Sequence, residues 1–192
     1  FQREIHSLDQ LRPDADMIIA ANGINSWVRD EFVDHFKPSF DWRPNKFVWL
    51  GSTKPLTAFT FDFRENEAGI WNLHAYQYND EMSTMIVETT EKTWKKAGME
   101  NASEGETVAY VSNLYADLLD GHPIITNRSV WRNFPMIRCE TWVKDNLVIM
   151  GDCAHTAHYS IGSGTKLAME DAIALFELSL IHISEPTRLR HI

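Results

Sequence analysis

The stretch that decides the fold is residues 147–175, which read LVIMGDCAHTAHYSIGSGTKLAMEDAIAL. It opens with Leu147–Met150, a short apolar run of the kind that is buried in parallel sheets. The run ends at Gly151, passes into a polar loop, and continues as an apolar helical pattern that we expect from about Gly164 to Leu175. A strand, a loop and a helix in this order form one unit of an α/β sheet.

The loop in this stretch carries groups that suit a hydroxylated or anionic ligand. Asp152 follows the strand at its carboxyl end, where open α/β sheets bind ligands, and its carboxylate can accept hydrogen bonds from sugar hydroxyls. Gly162 and Gly164 would let a ligand approach the backbone, and the first amides of the helix would point at that ligand. An ordinary loop with glycines for tight packing is the alternative.

A similar pattern lies near the start of the chain. The apolar run Asp16–Ala21 predicts a second buried strand, and Asn22 with Gly23 ends it because both residues tolerate positive φ. Ser26 is a suitable N-cap for a short helix that reaches Phe32.

The residues between the two patterns have a hydrophobic period of two. Phe59, Phe61 and Phe63 fall on one face of a strand, and partner strands are predicted at 70–76 and 84–88. These strands form an antiparallel meander. The sequence therefore predicts an α/β domain that is interrupted by a β-rich insertion.

Helices and short strands follow the meander. A short helix is predicted at 91–97, and a capping box of Ser103 and Glu106 begins a second one that we expect to end before Gly121. Two further short strands are expected. They are residues 123–125 and 129–131.

The composition narrows the classes of function. The 192 residues include 18 Lys and Arg against 27 Asp and Glu, and the formal net charge of −9 argues against nucleic acid or an anionic membrane as a partner. The two cysteines, Cys139 and Cys153, are too few for a disulfide scaffold and favour a reducing, cytoplasmic compartment. No apolar run approaches the roughly 20 residues of a membrane span.

Two segments resemble the fingerprints of a known family. Residues 147–175 resemble the second FAD fingerprint of the single-component, FAD-dependent aromatic monooxygenases, which have the para-hydroxybenzoate hydroxylase fold. Residues 16–29, DMIIAANGINSWVR, resemble the middle fingerprint of that family, D-x-x-x-G-A-D-G-x-x-S-x-x-R. The sequence of residues 155–175, together with that of residues 47–94, is most similar to the branch of the family that hydroxylates salicylyl-CoA or anthraniloyl-CoA. The resemblance covers about residues 14–177.

The resemblance implies a cofactor, co-substrates and a reaction. The cofactor is FAD, NAD(P)H and O₂ are the co-substrates, and a flavin C4a-hydroperoxide hydroxylates an aromatic substrate, here an aromatic acyl-CoA thioester. Because the cofactor supplies this chemistry, no side chain need act as a nucleophile and no catalytic residue is named. A homo-oligomer or a fused C-terminal domain would be compatible with the parent protein.

The implied cofactor-binding residues lie in the two fingerprints. Asp152 would hydrogen-bond the ribityl chain of FAD, and amides near Gly164 would stabilise the anionic reduced flavin. The set implied by the resemblance is Asn22, Gly23, Arg29, Gly151, Asp152, Gly162, Ser163, Gly164, Thr165 and Lys166.

The implied substrate-binding residues lie in the meander and in the loop before the last helix. The sheet from Phe47 to Glu88 would cover the substrate pocket, and in relatives the loop lies between flavin and substrate. The candidate lining residues are Phe59, Phe61, His74, Tyr76 and Tyr78 in the sheet, and His158, Tyr159 and Ser160 in the loop.

The resulting fold class is α/β, or α+β overall, with a partial Rossmann-like FAD-binding domain that is interrupted by an antiparallel substrate domain. The expected bounds are 1–36 for the first part of the FAD-binding domain, 37–142 for the substrate domain, 143–177 for the return of the FAD-binding domain, and 178–192 for a non-native tail. The tail is expected to pack poorly, because residues 178–188 resemble the translation of a sequencing adaptor.

The chain departs from the family pattern at three points. Asn22 replaces the family's Asp, which removes a charge but keeps an acceptor, and Ala20 replaces a Gly. The GxGxxG motif that holds the ADP half of FAD is absent, so we expect a fragment that has lost its first βαβ unit and that alone retains little FAD and no activity.

The sequence leaves three alternative interpretations open. A metal site made of Cys153, His155 and His158 lacks an evident fourth ligand, so no metal is expected. A halogenase or reductase of the same fold is an alternative, although the Trp-x-Trp signature of the halogenases is absent. A non-catalytic domain that keeps the fold for packing or partner binding is the third alternative.

Overall fold

The computed structural model describes residues 3–11 and 15–184, with side chains as far as Ser179. The strands are β1 (Ile18–Ala20), β2 (Ser39–Trp42), β3 (Lys46–Ser52), β4 (Thr60–Asn66), β5 (Gly69–Asn79), β6 (Met82–Thr89), β7 (Ile124–Ile125), β8 (Pro135–Arg138), β9 (Val143–Lys144) and β10 (Leu147–Ile149). The α-helices are α1 (Trp27–Glu31), α2 (Val33–Phe36), α3 (Glu91–Lys96), α4 (Glu104–Leu114), α5 (Ala116–Leu119) and α6 (Gly164–Ser184). Short 3₁₀ turns occur at Leu8–Gln10, Met99–Asn101, Gly151–Cys153 and Tyr159–Ile161.

The chain forms two compact units. Residues 1–41 and 135–192 make up the first, and residues 42–134 make up the second. The first unit contains a parallel strand pair and the second contains an antiparallel sheet with helices. The predicted α/β class with an antiparallel insertion is therefore confirmed. In the part of the chain that the structure describes, no helix is both long enough and apolar enough to cross a membrane.

The sheet of the first unit is built on the pairing of β1 with β10. The two strands run parallel, with Ile18 opposite Leu147 and Ala20 opposite Ile149. Strand β9 joins β10 in an antiparallel hairpin. Because β1 and β10 are parallel, their carboxyl ends lie side by side, and the loops that follow both strands leave the sheet at the same edge.

An apolar core holds this sheet against its helices. Its buried members come from both strands, from α1 and α2, and from the turn after β10: Leu8, Ile18, Ala20, Val28, Phe36, Cys139, Leu147, Ile149, Cys153 and Ala154. Burial of a Leu or Ile side chain contributes about 1.5–3 kcal/mol each, so this cluster fixes the positions of the strand ends.

The second unit is a five-stranded antiparallel sheet in the order β4-β5-β6-β3-β7. One face packs on α3, α4 and α5 around Val48, Leu50, Trp71, Leu73, Ala75, Met85, Val87, Trp94, Met99, Val111, Tyr115 and Leu119. The predicted alternation in β4 is observed, since Phe61 and Phe63 are exposed on the other face while their neighbours are partly buried. The capping box of Ser103 and Glu106 is also observed at the start of α4.

Several predicted elements differ in the structure. The helix that was expected to continue to Gly121 breaks at Tyr115, whose φ of −115° and ψ of 27° are not helical, because its fully buried ring packs in the core. The strand expected at 129–131 is absent, since the Ser129 amide donates to Glu104 Oε1 at 2.8 Å instead of to a neighbouring strand.

The pairing of β2 with β8 was not predicted. The four residues of β2 lie between two prolines, Pro38 and Pro44, and their partner strand is about 95 residues away in the sequence. Helix α6 is longer than predicted, because it continues past Leu175 to Ser184 through residues that have no Gly or Pro. The side chains from Leu180 onward, on which the prediction of a poorly packed tail depends, lie outside the described residues.

Replacement of Gly69 by Ala is expected to destabilise the second unit. Gly69 begins β5 with φ of +140°, and a Cβ there would clash with Thr93 Oγ1. Backbone strain and overpacking together predict a loss of about 2–4 kcal/mol in the free energy of unfolding, measured by urea denaturation. Gly105→Ala in α4 is the matched control, because no atom lies within 4 Å of its added Cβ. Equal stability of the two variants would contradict the expected clash.

Candidate functional site

The chain turns sharply at the end of β10. Gly151 has a positive φ of 61°, and its carbonyl oxygen accepts hydrogen bonds from the amides of Ala154 at 2.8 Å and His155 at 3.0 Å. This tight turn leaves the Asp152 side chain exposed at the carboxyl end of the strand. No described residue hydrogen-bonds the Asp152 carboxylate, so it is available to a ligand.

The N-terminus of α6 follows twelve residues after Asp152. Gly162 has φ of 67°, α6 begins at Gly164, and its first turn contains no acidic side chain. A Cβ built on either glycine would meet nothing within 4 Å, so the space beside this backbone is open. The contacts therefore do not support the reading in which these glycines serve tight packing. The first helical amides, including those of Thr165 and Lys166, have no partners within the helix and carry the positive end of its dipole.

The loop after β1 is joined to the loop after β10 by hydrogen bonds. Ser26 is fully buried, and its hydroxyl donates to Asn22 Oδ1 at 2.5 Å while accepting from the Arg29 amide at 3.1 Å. The Cys153 thiol donates to the same hydroxyl oxygen at 2.9 Å. Asn22 Oδ1 thus accepts a hydrogen bond inside the protein, and its role in cofactor binding stays a prediction. Gly23 beside it has φ of +80°.

Arg29 is a structural link between the same two loops. Its side chain is buried, and Nη1 donates to the carbonyl oxygen of Ile24 at 3.0 Å and to that of Cys153 at 3.4 Å. Its guanidinium also lies 5.2 Å from the centre of the Phe40 ring, and Nε donates to Asp30. The donors of Arg29 that are described therefore act within the protein and fix the positions of both loops.

Both cysteines of this unit are buried free thiols. Burial raises the pKa of the Cys139 thiol to about 11. Burial also raises the pKa of Cys153, although its hydrogen bond to Ser26 opposes that shift. Because the thiolate is the nucleophilic form, neither residue is suited to covalent chemistry near neutral pH.

The loop histidines point to separate partners. His155 Nε2 lies 2.8 Å from Asp171 Oδ2, whereas His158 Nδ1 lies 2.6 Å from Ser160 Oγ and its ring stacks on Tyr159 at 4.4 Å. His158, Tyr159 and Ser160 thus form one local cluster at the 3₁₀ turn before α6. Among the described residues, no three His, Cys, Asp or Glu side chains are arranged to hold a metal ion.

The second unit places the sheet candidates on its aromatic face. The Phe59 ring stacks on Tyr76 at 5.5 Å, and the Phe61 ring contacts the His74 ring edge-on at 4.7 Å. Phe59, Phe61 and Tyr78 are more than half exposed, whereas His74 is 3% exposed. Phe59, Phe61, His74 and Tyr76 are therefore adjacent, and their role as the lining of a substrate pocket stays a prediction.

A polar network around His74 was missed by the sequence analysis. His74 Nε2 lies 2.8 Å from Asn72 Nδ2 and 3.8 Å from Glu88 Oε2, and Glu88 accepts a hydrogen bond from Asn45 Nδ2 at 2.7 Å. Asn72 Oδ1 is buried without a hydrogen-bond partner among the described residues. The alternation in β5 places residues 72 and 74 on one face and could have indicated the first pair, but the partners on other strands have no local signal.

The described residues fit a flavin nucleotide on two structural grounds. An exposed carboxylate at the strand end can accept hydrogen bonds from hydroxyl groups, and an open helix N-terminus without acidic residues can stabilise negative charge.

A model of the family described as FAD binding domain matches residues 8–184. The chain belongs to this FAD binding domain family.

Named relatives of this FAD-binding domain are oxygenases. A salicyloyl-CoA 5-hydroxylase from Streptomyces sp is 39% identical over 185 residues, which cover 92% of this chain and 36% of that protein. A protodeoxyviolaceinate monooxygenase from Chromobacterium violaceum is 32% identical over 178 residues, which cover 92% of this chain and 48% of that protein. The chain thus spans half the length or less of these two relatives. The predicted resemblance to FAD-dependent aromatic monooxygenases is confirmed.

The FAD-binding domain also resembles a solved structure. PqsL, a probable FAD-dependent monooxygenase from Pseudomonas aeruginosa, aligns with a TM-score of 0.62 at 20% identity and covers 91% of this chain and 48% of that one. At this identity the likeness shows the fold.

Replacement of Ser26 by Ala is expected to destabilise the first unit. The change removes the N-cap of α1 and leaves Asn22 Oδ1 and the Cys153 thiol without their shared partner. We expect a loss of about 2 kcal/mol in the free energy of unfolding, measured by urea denaturation. Ser39→Ala is the control, because that exposed hydroxyl makes a surface bond to the Arg138 carbonyl oxygen. A loss no larger than that of the control would show that the loops are not joined through Ser26.

Proposed function

We propose that this chain is the flavin- and substrate-binding part of an aromatic monooxygenase that uses FAD, NAD(P)H and O₂. The proposed substrate is an aromatic acyl-CoA thioester, and the proposed compartment is the cytoplasm. Similarity to a salicyloyl-CoA 5-hydroxylase supports the substrate class. Two free buried cysteines support a reducing compartment.

The observation that carries the proposal is the arrangement at the end of β10. An exposed Asp152 and an open N-terminus of α6 lie within one loop, and the buried Arg29 and Ser26 hold that loop against the neighbouring one. A ligand that has both hydroxyl groups and a ring or chain with negative charge matches these two features.

Each proposed cofactor-binding residue has a distinct role. When bound, FAD would supply the redox chemistry, in which electrons from NAD(P)H activate O₂. Asp152 would accept hydrogen bonds from the ribityl hydroxyls, and the amides of Gly164, Thr165 and Lys166 would stabilise negative charge on the flavin ring. Gly162 and Ser163 would shape the approach to those amides, and Gly151 would set the turn.

The proposed substrate-binding surface is the aromatic face of the second unit. Phe59, Phe61 and Tyr76 offer rings against which an aromatic substrate can stack. His74, held by Asn72 beside the Glu88 carboxylate, would border this surface through its contact with the Phe61 ring. His158, Tyr159 and Ser160, in the loop before α6 of the first unit, are separate candidates for contact with a substrate.

The test of this function uses the complete protein that contains these residues. Purified protein is expected to carry FAD, and NAD(P)H oxidation is expected to accelerate when salicylyl-CoA or 2-aminobenzoyl-CoA is added, with a hydroxylated product detected by mass spectrometry. NADH and NADPH are compared in parallel. A protein that binds FAD but shows no oxidation stimulated by any aromatic compound would overturn the monooxygenase proposal. Halogenated product formed only with added halide would favour a halogenase instead.

Replacement of Asp152 by Asn is expected to weaken FAD binding. The amide is nearly isosteric but loses the charge that strengthens hydrogen bonds from hydroxyl donors, so the Kd for FAD should rise about tenfold. The Kd is measured by titration of the apoprotein with FAD and flavin fluorescence. Asp145→Asn, in the β9–β10 turn, is the control because it changes the net charge equally on the same unit. Equal Kd values for the two variants would contradict the role of Asp152.

A further inference from the structure

One carboxylate of α6 is bonded to the turn at the end of β10. Asp171 Oδ2 accepts a hydrogen bond from the Gly151 amide at 2.9 Å and lies 2.8 Å from His155 Nε2. An ionised carboxylate can only accept, so His155 donates its Nε2 proton to this oxygen. A single oxygen of Asp171 therefore binds both ends of the segment 151–155.

The surroundings of Asp171 make this contact stronger than a surface ion pair. Its side chain is 11% exposed, and that of His155 is 21% exposed. The Trp142 ring stacks on the His155 ring at a centroid distance of 4.7 Å, which fixes the imidazole against the carboxylate. Hydrogen bonds to a charged acceptor in a partly buried site are stronger and less screened than those at the surface.

The adjacent carboxylate on the same helix behaves differently. Glu170 is about half exposed and pairs with Lys166 one turn earlier on the helix surface. Two neighbouring residues of α6 therefore carry equal charges, but only Asp171 contacts the turn after β10.

The position of Asp171 along α6 explains what the contact can do. Asp171 lies seven residues after Gly164, which is about two helical turns, so it projects from the helix on nearly the same side as the first residue. Its bond to Gly151 fixes the helix relative to the end of β10. This bond therefore constrains the distance between Asp152 and the first amides of the helix, together with the packing of Ala168 against Gly151.

We propose that Asp171 is a positioning residue for the flavin, acting through Gly151 and supported by His155. This inference rests on the proposed function, because it assigns a role in FAD binding to a residue that does not touch the cofactor. Asp171 holds the ribityl-binding carboxylate of Asp152 and the amides of α6 at the spacing that one flavin nucleotide bridges. An amide at position 171 can still accept from Gly151, but without the charge that strengthens the bond, so the two groups move apart more readily and FAD affinity falls without any change in a contacting residue.

The test compares Asp171→Asn with Glu170→Gln in the complete protein that contains this chain. Both variants remove one negative charge from adjacent residues of α6. We expect the Kd for FAD, titrated into apoprotein, to rise about tenfold or more for Asp171→Asn and to stay within about twofold of the unchanged protein for Glu170→Gln. His155→Gln keeps the hydrogen bond from the Gly151 amide to Asp171, so the rise in its Kd for FAD should lie between the rises of the other two variants.

A second measurement separates positioning from a general loss of stability. Amide hydrogen exchange of the peptide that spans residues 147–155 should accelerate in Asp171→Asn, while exchange in β3–β6 of the second unit stays unchanged. Faster exchange over the whole protein, with FAD affinity that falls only in proportion to it, would indicate a structural role and overturn the proposal. If Asp171→Asn does not fold, His155→Gln decides the question by the same two readings.

The outcomes also distinguish this inference from the proposed function. If the unchanged protein does not bind FAD, the proposed function fails, and the exchange data alone report whether Asp171 holds the turn. If the unchanged protein binds FAD and Asp171→Asn binds it equally well, the positioning role is wrong while the proposed function stands.

Discussion

The parallel pairing of β1 with β10 is the constraint on which the first unit depends. The two strands are only three residues long and are separated by more than 120 residues of sequence, yet they are in register from Ile18 with Leu147 to Ala20 with Ile149. The hydrogen bond from the Met150 amide to the Ala20 carbonyl oxygen, 3.1 Å long, extends the pairing to the point where both loops begin. Closing so long a loop costs entropy, and the apolar cluster around Phe36 and Ile149 offsets that cost.

The intervening segment can be long because it has a core of its own. Residues 42–134 bury one face of their sheet against α3, α4 and α5, which gives this unit an apolar cluster separate from that of the strand pair. An antiparallel sheet needs only one covered face, which leaves the other free to carry exposed aromatic rings such as Phe61 and Phe63.

Local patterns explain which parts of this fold were predictable. The Ser26 cap, the capping box at Ser103 and the alternation through Phe61 each depend on residues within a few positions, and the structure contains all three. The FAD-binding family was recognised because its two fingerprints are also short and local. Such signals predict the class of the fold and the position of the β10 loop.

The parts that were missed depend on contacts between distant residues. Strand β2 is exposed and short, so nothing in its own sequence indicates a partner in β8. The Glu88 contact with His74 depends on the register of neighbouring strands, and the bond from Gly151 to Asp171 depends on how α6 returns along the strand end. A carboxylate inside an apolar helix is one weak signal of such a contact, because burial of the Asp171 side chain without a hydrogen-bond partner would cost free energy.

The distribution of hydrogen bonds also indicates which polar groups serve the fold and which serve a ligand. Around the two loops, Asn22, Ser26 and Arg29 are bonded to one another or to neighbouring carbonyl oxygens, and Asp171 is bonded to Gly151 and His155. Among the described residues Asp152 has no such partner, and the first amides of α6 have none within their helix. The internal bonds hold these remaining groups at a fixed edge of the sheet. A polar group that is exposed, fixed in place and without an internal partner can bind a ligand at little cost in conformational entropy, which is why the ligand site is expected at this edge.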